Sequence, residues 1–94
     1  MLIIAGSLSV DPAARDDYLS ACRDTIAQAR AAAGCLDFLL AADPLDAGRI
    51  HVYERWESAE QLEAFRGSGP SDEQSAAILG ADVRRYLIAS VEAP

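Results

Sequence analysis

Residues 35 to 58 read CLDFLLAADPLDAGRIHVYERWES and hold two strands, the link between them and the start of a helix. Cys35 to Ala42 carries Leu36, Phe38 and Leu40 on one parity and Leu39 and Ala41 on the other, the pattern of a strand with apolar groups on both faces. Asp43-Pro44 through Gly48 is rich in turn formers, and Arg49 to Trp56 is dense in β-branched and aromatic residues. A link this short predicts a hairpin. Ser58 and Gln61 have the capping-box spacing S-x-x-Q, which opens a short helix with Leu62 and Phe65 pointing the same way and an end near Gly67.

Working outward, Leu2 to Val10 is apolar and partly alternating, with Leu2, Ile4, Leu8 and Val10 on one parity, and predicts a first strand. Asp11-Pro12 is a helix-start signal, and apolar steps at Tyr18, Leu19, Cys22, Ile26 and Ala29 predict one helix running to about Ala33. Gly34 stands where a left-handed terminator belongs. Beyond the break at Gly67-Ser68-Gly69-Pro70, Ser71 and Gln74 repeat the capping spacing before Ala76, Ala77, Ile78 and Leu79, predicting a second short helix. Asp82 to Val91 alternates and closes the order as a strand.

The order βαββαβ makes two βαβ halves. Their right-handed crossovers give an α+β, ferredoxin-like domain over residues 1–94: a four-stranded antiparallel sheet with both helices on one face. The other sheet face still carries apolar groups, and such a face marks an interface, so a homodimer meeting through it is expected. Size agrees. Of the hydrophobic residues in this 94-residue chain 19 are alanine, and a domain of this length buries only about 60 to 65% of its unfolded surface.

Composition removes several function classes. The net charge is -7, and all 8 basic residues are arginine, so the clustered cations that hold nucleic acid or an anionic membrane are missing. Without lysine no Schiff base forms, which excludes pyridoxal chemistry. Two cysteines, Cys22 and Cys35, and one histidine, His51, make neither a disulfide framework nor a metal-ligand spacing, so no metal is expected and the thiols point to a cytoplasmic protein. No signal-peptide pattern and no membrane-length apolar run occurs.

No short motif is an enzyme signature by itself. Ser7 and Ser9 lack a base on their own strand, and Asp16-Asp17 is accounted for by the helix dipole. His51 shares its strand parity with Arg49 and Tyr53, which suits a polar contact at a rim better than a proton transfer, while Trp56 suits either the core or the wall of a flat pocket for a ring.

The strings Gly34-Cys35-Leu36-Asp37-Phe38, Asp43-Pro44, Val52-Tyr53-Glu54-Arg55-Trp56-Glu57-Ser58 and Leu62-Glu63-Ala64-Phe65 resemble the antibiotic biosynthesis monooxygenase family, as do Val10-Asp11-Pro12 and Ala29-Arg30. The resemblance implies a dimeric α+β barrel. It also implies, in some members, oxidation of quinols, anthrones or related aromatic metabolites by O2 with no cofactor, and in others haem degradation. Trp56 matches a tryptophan that lines the pocket in many relatives. Active relatives commonly carry a histidine where this chain has Phe65, with a second near Pro70, and the haem-degrading branch uses an asparagine where this chain has Gly6. These departures argue against haem degradation.

The expected site therefore has Trp56, Phe38, Phe65 and Tyr86 as ring-binding walls, with Glu54, His51 or a tyrosine as candidate base. Glu54 is the better candidate because it shares the parity of Trp56. The leading expectation is a cofactor-independent monooxygenase. The alternatives are a non-catalytic ligand-binding dimer that keeps the fold without the usual histidine, and an accessory domain serving other enzymes.

Overall fold

The computed structural model describes residues 1–67 and 77–94. The elements are β1 (Leu2–Val10), α1 (Arg15–Ala21), α2 (Arg23–Ala31), β2 (Cys35–Ala42), β3 (Arg49–Trp56), α3 (Ala59–Arg66) and β4 (Ile78–Leu87). The strands form one antiparallel sheet in the order β2-β3-β1-β4, the ferredoxin-like α+β arrangement.

Strand parity sorts the side chains cleanly. Leu2, Ile4 and Val10 of β1 and Ile50, Val52, Glu54 and Trp56 of β3 are all buried, and the register sets Leu2 opposite Trp56 and Ile4 opposite Glu54. Ala29 of α2 and Leu62 of α3 close over this face together with Phe38 of β2, so the helices lie on one side of the sheet. The opposite face holds Ile3, Ala5, Leu39, Tyr53 and Tyr86, interleaved with Asp37, Arg55, Arg84 and His51. Leu39 and Tyr86 are 43% and 54% exposed there.

Three strands keep their expected bounds, and the other elements differ for identifiable reasons. The long first helix is two helices that meet at Cys22, whose amide is shared between the carbonyls of Tyr18 and Leu19. Such a shared bond tightens the turn and redirects the axis. Asp11 caps an earlier turn, accepting from the Ala13 amide at 2.9 Å, and α1 starts only at Arg15. In β2 a bulge between Cys35 and Asp37 puts Cys35 opposite Trp56 and leaves Leu36 exposed, so Leu36 does not share the face of Phe38.

β4 begins at Ile78 instead of Asp82 and ends at Leu87 instead of Val91. Ile78 and Leu79, expected in a helix, are strand residues, with Ile78 opposite Val10 across a register shift. Residues 71–76 of that expected helix lie outside the described residues, and Ala77 is helical as expected. Among the described residues no helix is long and apolar enough to cross a membrane.

Gly34 has φ +82° and is the terminator expected after the helices. A Cβ there would also enter the side chain of Gln61, because the Gly34 carbonyl receives the Glu57 amide at 2.8 Å and the start of α3 lies against it. Ser58 caps α3 as its spacing predicts, accepting from the Gln61 amide at 3.2 Å.

Candidate functional site

Among the described residues Glu54 is the buried charged residue, 6% exposed, at the centre of the sheet on the helix side. A carboxylate at such a depth needs partners. Alternation along β3 supplies the first, since Trp56 sits two positions on with its indole on the same face. Trp56 Nε1 donates to Glu54 Oε1 at 3.0 Å. The second partner comes from the end of α3, where Arg66 Nη2 lies 3.7 Å from Glu54 Oε2. That separation is an ion pair without a close hydrogen bond. The Arg66 side chain is 43% exposed, so it links the buried acid to the surface.

Rings surround this pair. The Phe65 centroid lies 5.6 Å from that of Trp56 and 6.0 Å from that of Phe38, the latter edge-on, both within the range of favourable aromatic contacts. Trp56 is fully buried, Phe38 nearly so, and Phe65 is half-buried at the margin. Chemically the arrangement offers flat apolar walls, one oriented carboxylate oxygen and a cation at the rim. Ile4, opposite Glu54 on β1, and Leu2, opposite Trp56, complete the floor.

Of the residues singled out by sequence, Glu54, Trp56, Phe38 and Phe65 come together. His51 and Tyr86 do not. His51 is three positions from Glu54 and therefore on the other face of the sheet, where its Nε2 meets Asp43 Oδ1 at 2.5 Å. Tyr86 pairs with Ile3, also on that face, because its parity is opposite to that of Val83, which packs on the core. Neither reaches the Trp56 cluster within one chain. Arg66 is the member that sequence reasoning passed over. Chain order gives no signal for it, since its place depends on the end of α3 returning over β3.

The other ionisable groups have local roles. Asp43 accepts from His51 and from the amides of Leu45 and Asp46, and these bonds, His51 first, hold its carboxyl well below the usual carboxylate range. Arg15 donates to the carbonyls of Asp43 and Asp46, tying α1 to the same loop. Burial, and then the neighbouring Glu54 carboxylate, push the Cys35 thiol up, while burial pushes up Cys22 despite its bond to Tyr18. Neither cysteine is in a disulfide among the described residues. Neither environment favours a thiolate.

Gly6 bears on the haem branch. It has φ +153° in the middle of β1, and a Cβ there would stand 1.9 Å from the Asp82 carbonyl oxygen of β4. No side chain fits at that position without moving the neighbouring strand. The position at which the resemblance implies the haem branch's asparagine therefore has no room for a side chain. Among the described residues no group of three His, Cys, Asp or Glu side chains is placed to hold a metal ion.

Comparison with known proteins places this geometry. The fold is similar to a Pseudomonas aeruginosa protein of known structure, at TM-score 0.80 and 22% identity over 94% of each chain. It is similar also to a Nitrosomonas europaea protein proposed to be an antibiotic biosynthesis monooxygenase, at TM-score 0.84 and 16% identity over 96% of this chain and 100% of that one. A Mycobacterium tuberculosis protein gives TM-score 0.76 and 23% identity over 99% and 98%. No curated protein matches. At these identities the structures establish the fold alone. The family profile described as antibiotic biosynthesis monooxygenase matches residues 1–77, which include β1, the β2–β3 hairpin and all of the Glu54, Trp56, Phe65 and Arg66 cluster, and the chain belongs to that family.

Proposed function

We propose that this protein is a homodimeric, cofactor-independent monooxygenase that uses O2 to oxidise a quinol, an anthrone or a related aromatic metabolite in the cytoplasm. The observation that carries the reading is the Glu54 carboxylate, buried among Trp56, Phe38 and Phe65 with one oxygen fixed by the indole and the other facing Arg66. A fixed carboxylate in an aromatic, water-poor setting suits a general base for an acidic ring carbon or phenol.

The chemistry balances without a redox group on the protein. An anthrone methylene gives a proton to Glu54 Oε2, and the resulting carbanion passes one electron to O2. The carbon radical and superoxide combine into a C–O bond, and the peroxide takes back the proton. Loss of water, with cleavage of the O–O bond and departure of the remaining C–H proton, leaves a carbonyl. Overall, CH2 and O2 become C=O and H2O, and all four electrons come from the substrate. The residues' tasks are to hold the ring flat, receive the first proton and exclude water.

Oxygen uptake by the metal-stripped protein with a panel of anthrones and quinols, corrected for autoxidation, tests this reading. A protein-dependent rate that Glu54→Gln lowers by about 10²-fold or more is expected. No rate above background with any member rejects the oxygenase.

One observation favours a second reading, in which the dimer binds an aromatic ligand without turning it over. Phe65 occupies the place where active relatives carry histidine, and its ring fills space between Trp56 and Phe38. Under that reading ligands bind, oxygen uptake stays at background, and Phe65→His does not raise it.

A further inference from the structure

We infer that Arg66 is the specificity residue of this site and that the ligand it selects is an aromatic ring bearing an anionic group, such as an aryl carboxylate. The inference deepens the proposed function and rests on the Trp56 cluster being where a ring binds.

Four observations lead to it. First, a guanidinium has five N–H donors, and the contact with Glu54, at 3.7 Å, is not a close hydrogen bond. Second, its exposure is divided: Glu54 is buried while the Arg66 side chain is 43% exposed, so donors not turned toward Oε2 face outward at the edge of the cluster. Third, Arg66 meets the same carboxylate that the Trp56 indole binds, and the half-buried Phe65 ring lies 5.6 Å from that indole, so a planar ligand lying against these rings comes close to the guanidinium. Fourth, the two arginines that flank the cluster from β4 and α2, Arg85 and Arg30, are engaged more closely. Arg85 donates to Glu63 at 2.7 Å and Arg30 to the Phe38 carbonyl at 2.9 Å, whereas Arg55 and Arg84 belong to the opposite face.

The charge of the whole chain sharpens the point. A protein of net charge -7 repels anions in general, and a local cation beside a ring site is then the feature that admits one. Carboxylates pair with arginine through two parallel N–H···O bonds, which fixes orientation as well as affinity. When the guanidinium turns to the ligand's anion, Glu54 Oε2 is left facing the ring, where the proposed base has to act.

The test compares 1-hydroxy-2-naphthoate with 1-naphthol, which share the ring and hydroxyl and differ by one carboxylate, by calorimetric titration at pH 7 in low salt. The wild type is expected to bind the naphthoate about 10-fold tighter, a preference that vanishes in Arg66→Gln and is partly kept in Arg66→Lys, which retains the charge but not the fork. Thermal melts establish that each variant is folded, and the lysine variant carries the test if the glutamine variant is not. Equal binding of both ligands by the wild type overturns the inference while leaving the ring site standing. An undiminished preference in either Arg66→Gln or Arg66→Lys overturns it too. Failure of the wild type to bind either ring overturns the inference, and the oxygen-uptake panel then decides the proposed function on its own.

Discussion

Trp56 and Glu54, two residues apart on β3, hold each other in the core: the indole N–H donates to Oε1 at 3.0 Å, and the two side chains are 0% and 6% exposed. Removing either partner leaves a buried polar atom of the other, the indole N–H or Glu54 Oε1, without a hydrogen bond, which costs about 1–3 kcal/mol. Trp56→Phe keeps a ring but leaves Glu54 Oε1 without its donor, and a fall in Tm of at least about 4 °C is expected by differential scanning calorimetry. Glu54→Gln keeps an acceptor for the indole, so its Tm should fall less. A larger fall for Glu54→Gln than for Trp56→Phe would contradict this account.

The two glycines with positive φ give an ordered pair of costs. At Gly34 a side chain pays about 1–2 kcal/mol for the left-handed backbone and displaces Gln61, whose flexible end can move away. At Gly6 the obstacle is the Asp82 carbonyl oxygen in the next strand, which cannot move without loosening β4 from β1. Urea unfolding should show Gly6→Ala destabilised by roughly 3 kcal/mol or more, beyond Gly34→Ala. Equal midpoints for the two variants would refute the ordering.

Asp43 makes part of the stability pH-dependent. Its carboxyl titrates lower in the folded chain than in the unfolded one, because His51 and two loop amides bond the charged form. Stability from this source is present above the ordinary aspartate pKa of about 3.9 and is lost as pH falls through the lower folded value. Asp43→Asn should therefore be less stable than the wild type at pH 7, with the difference shrinking below about pH 4. Denaturation curves displaced by the same amount at pH 7 and pH 2.5 would show that the carboxylate is not the source.

The apolar side of the sheet tests the proposed dimer. Leu39 lies opposite Tyr53, which lies opposite Ala5, so the three form a continuous row at mid-sheet. Sedimentation at micromolar concentration should give a dimer for the wild type and a monomer for Leu39→Glu, since a charge buried in such an interface has no partner. A wild-type monomer under the same conditions removes the interface.

How far the sequence could be read depended on how local the deciding signal was. Turn residues bracket β1, β2 and β3, and their bounds follow directly from Asp11-Pro12, Gly34, Asp43-Pro44 and Ser58. The break at Cys22 left no mark in composition because the apolar steps continue through it. The bulge at Leu36 was hidden likewise, since alternation looks the same on either side of one inserted residue. At the site, the even parity of Glu54 and Trp56 was visible, whereas Tyr86, expected among the walls, was excluded only once Val83 was seen to face the core. Arg66 needed the third dimension: nothing in the chain order shows that the end of α3 comes back over the middle of β3.

The central place of β1 in the sheet sets a timing problem for the growing chain. Leu2 pairs with Trp56 on one side and Leu87 on the other, so β1, made before both partners, waits for β3 and then β4 before its backbone is satisfied. Contacts so distant along the chain slow the search for the native state. Until then Leu2-Ile3-Ile4-Ala5 stays an unpaired apolar stretch, open to association with other nascent chains. Slower translation or lower expression temperature should therefore raise the soluble yield, and a charge at Ser9, exposed on β1, should act in the same direction.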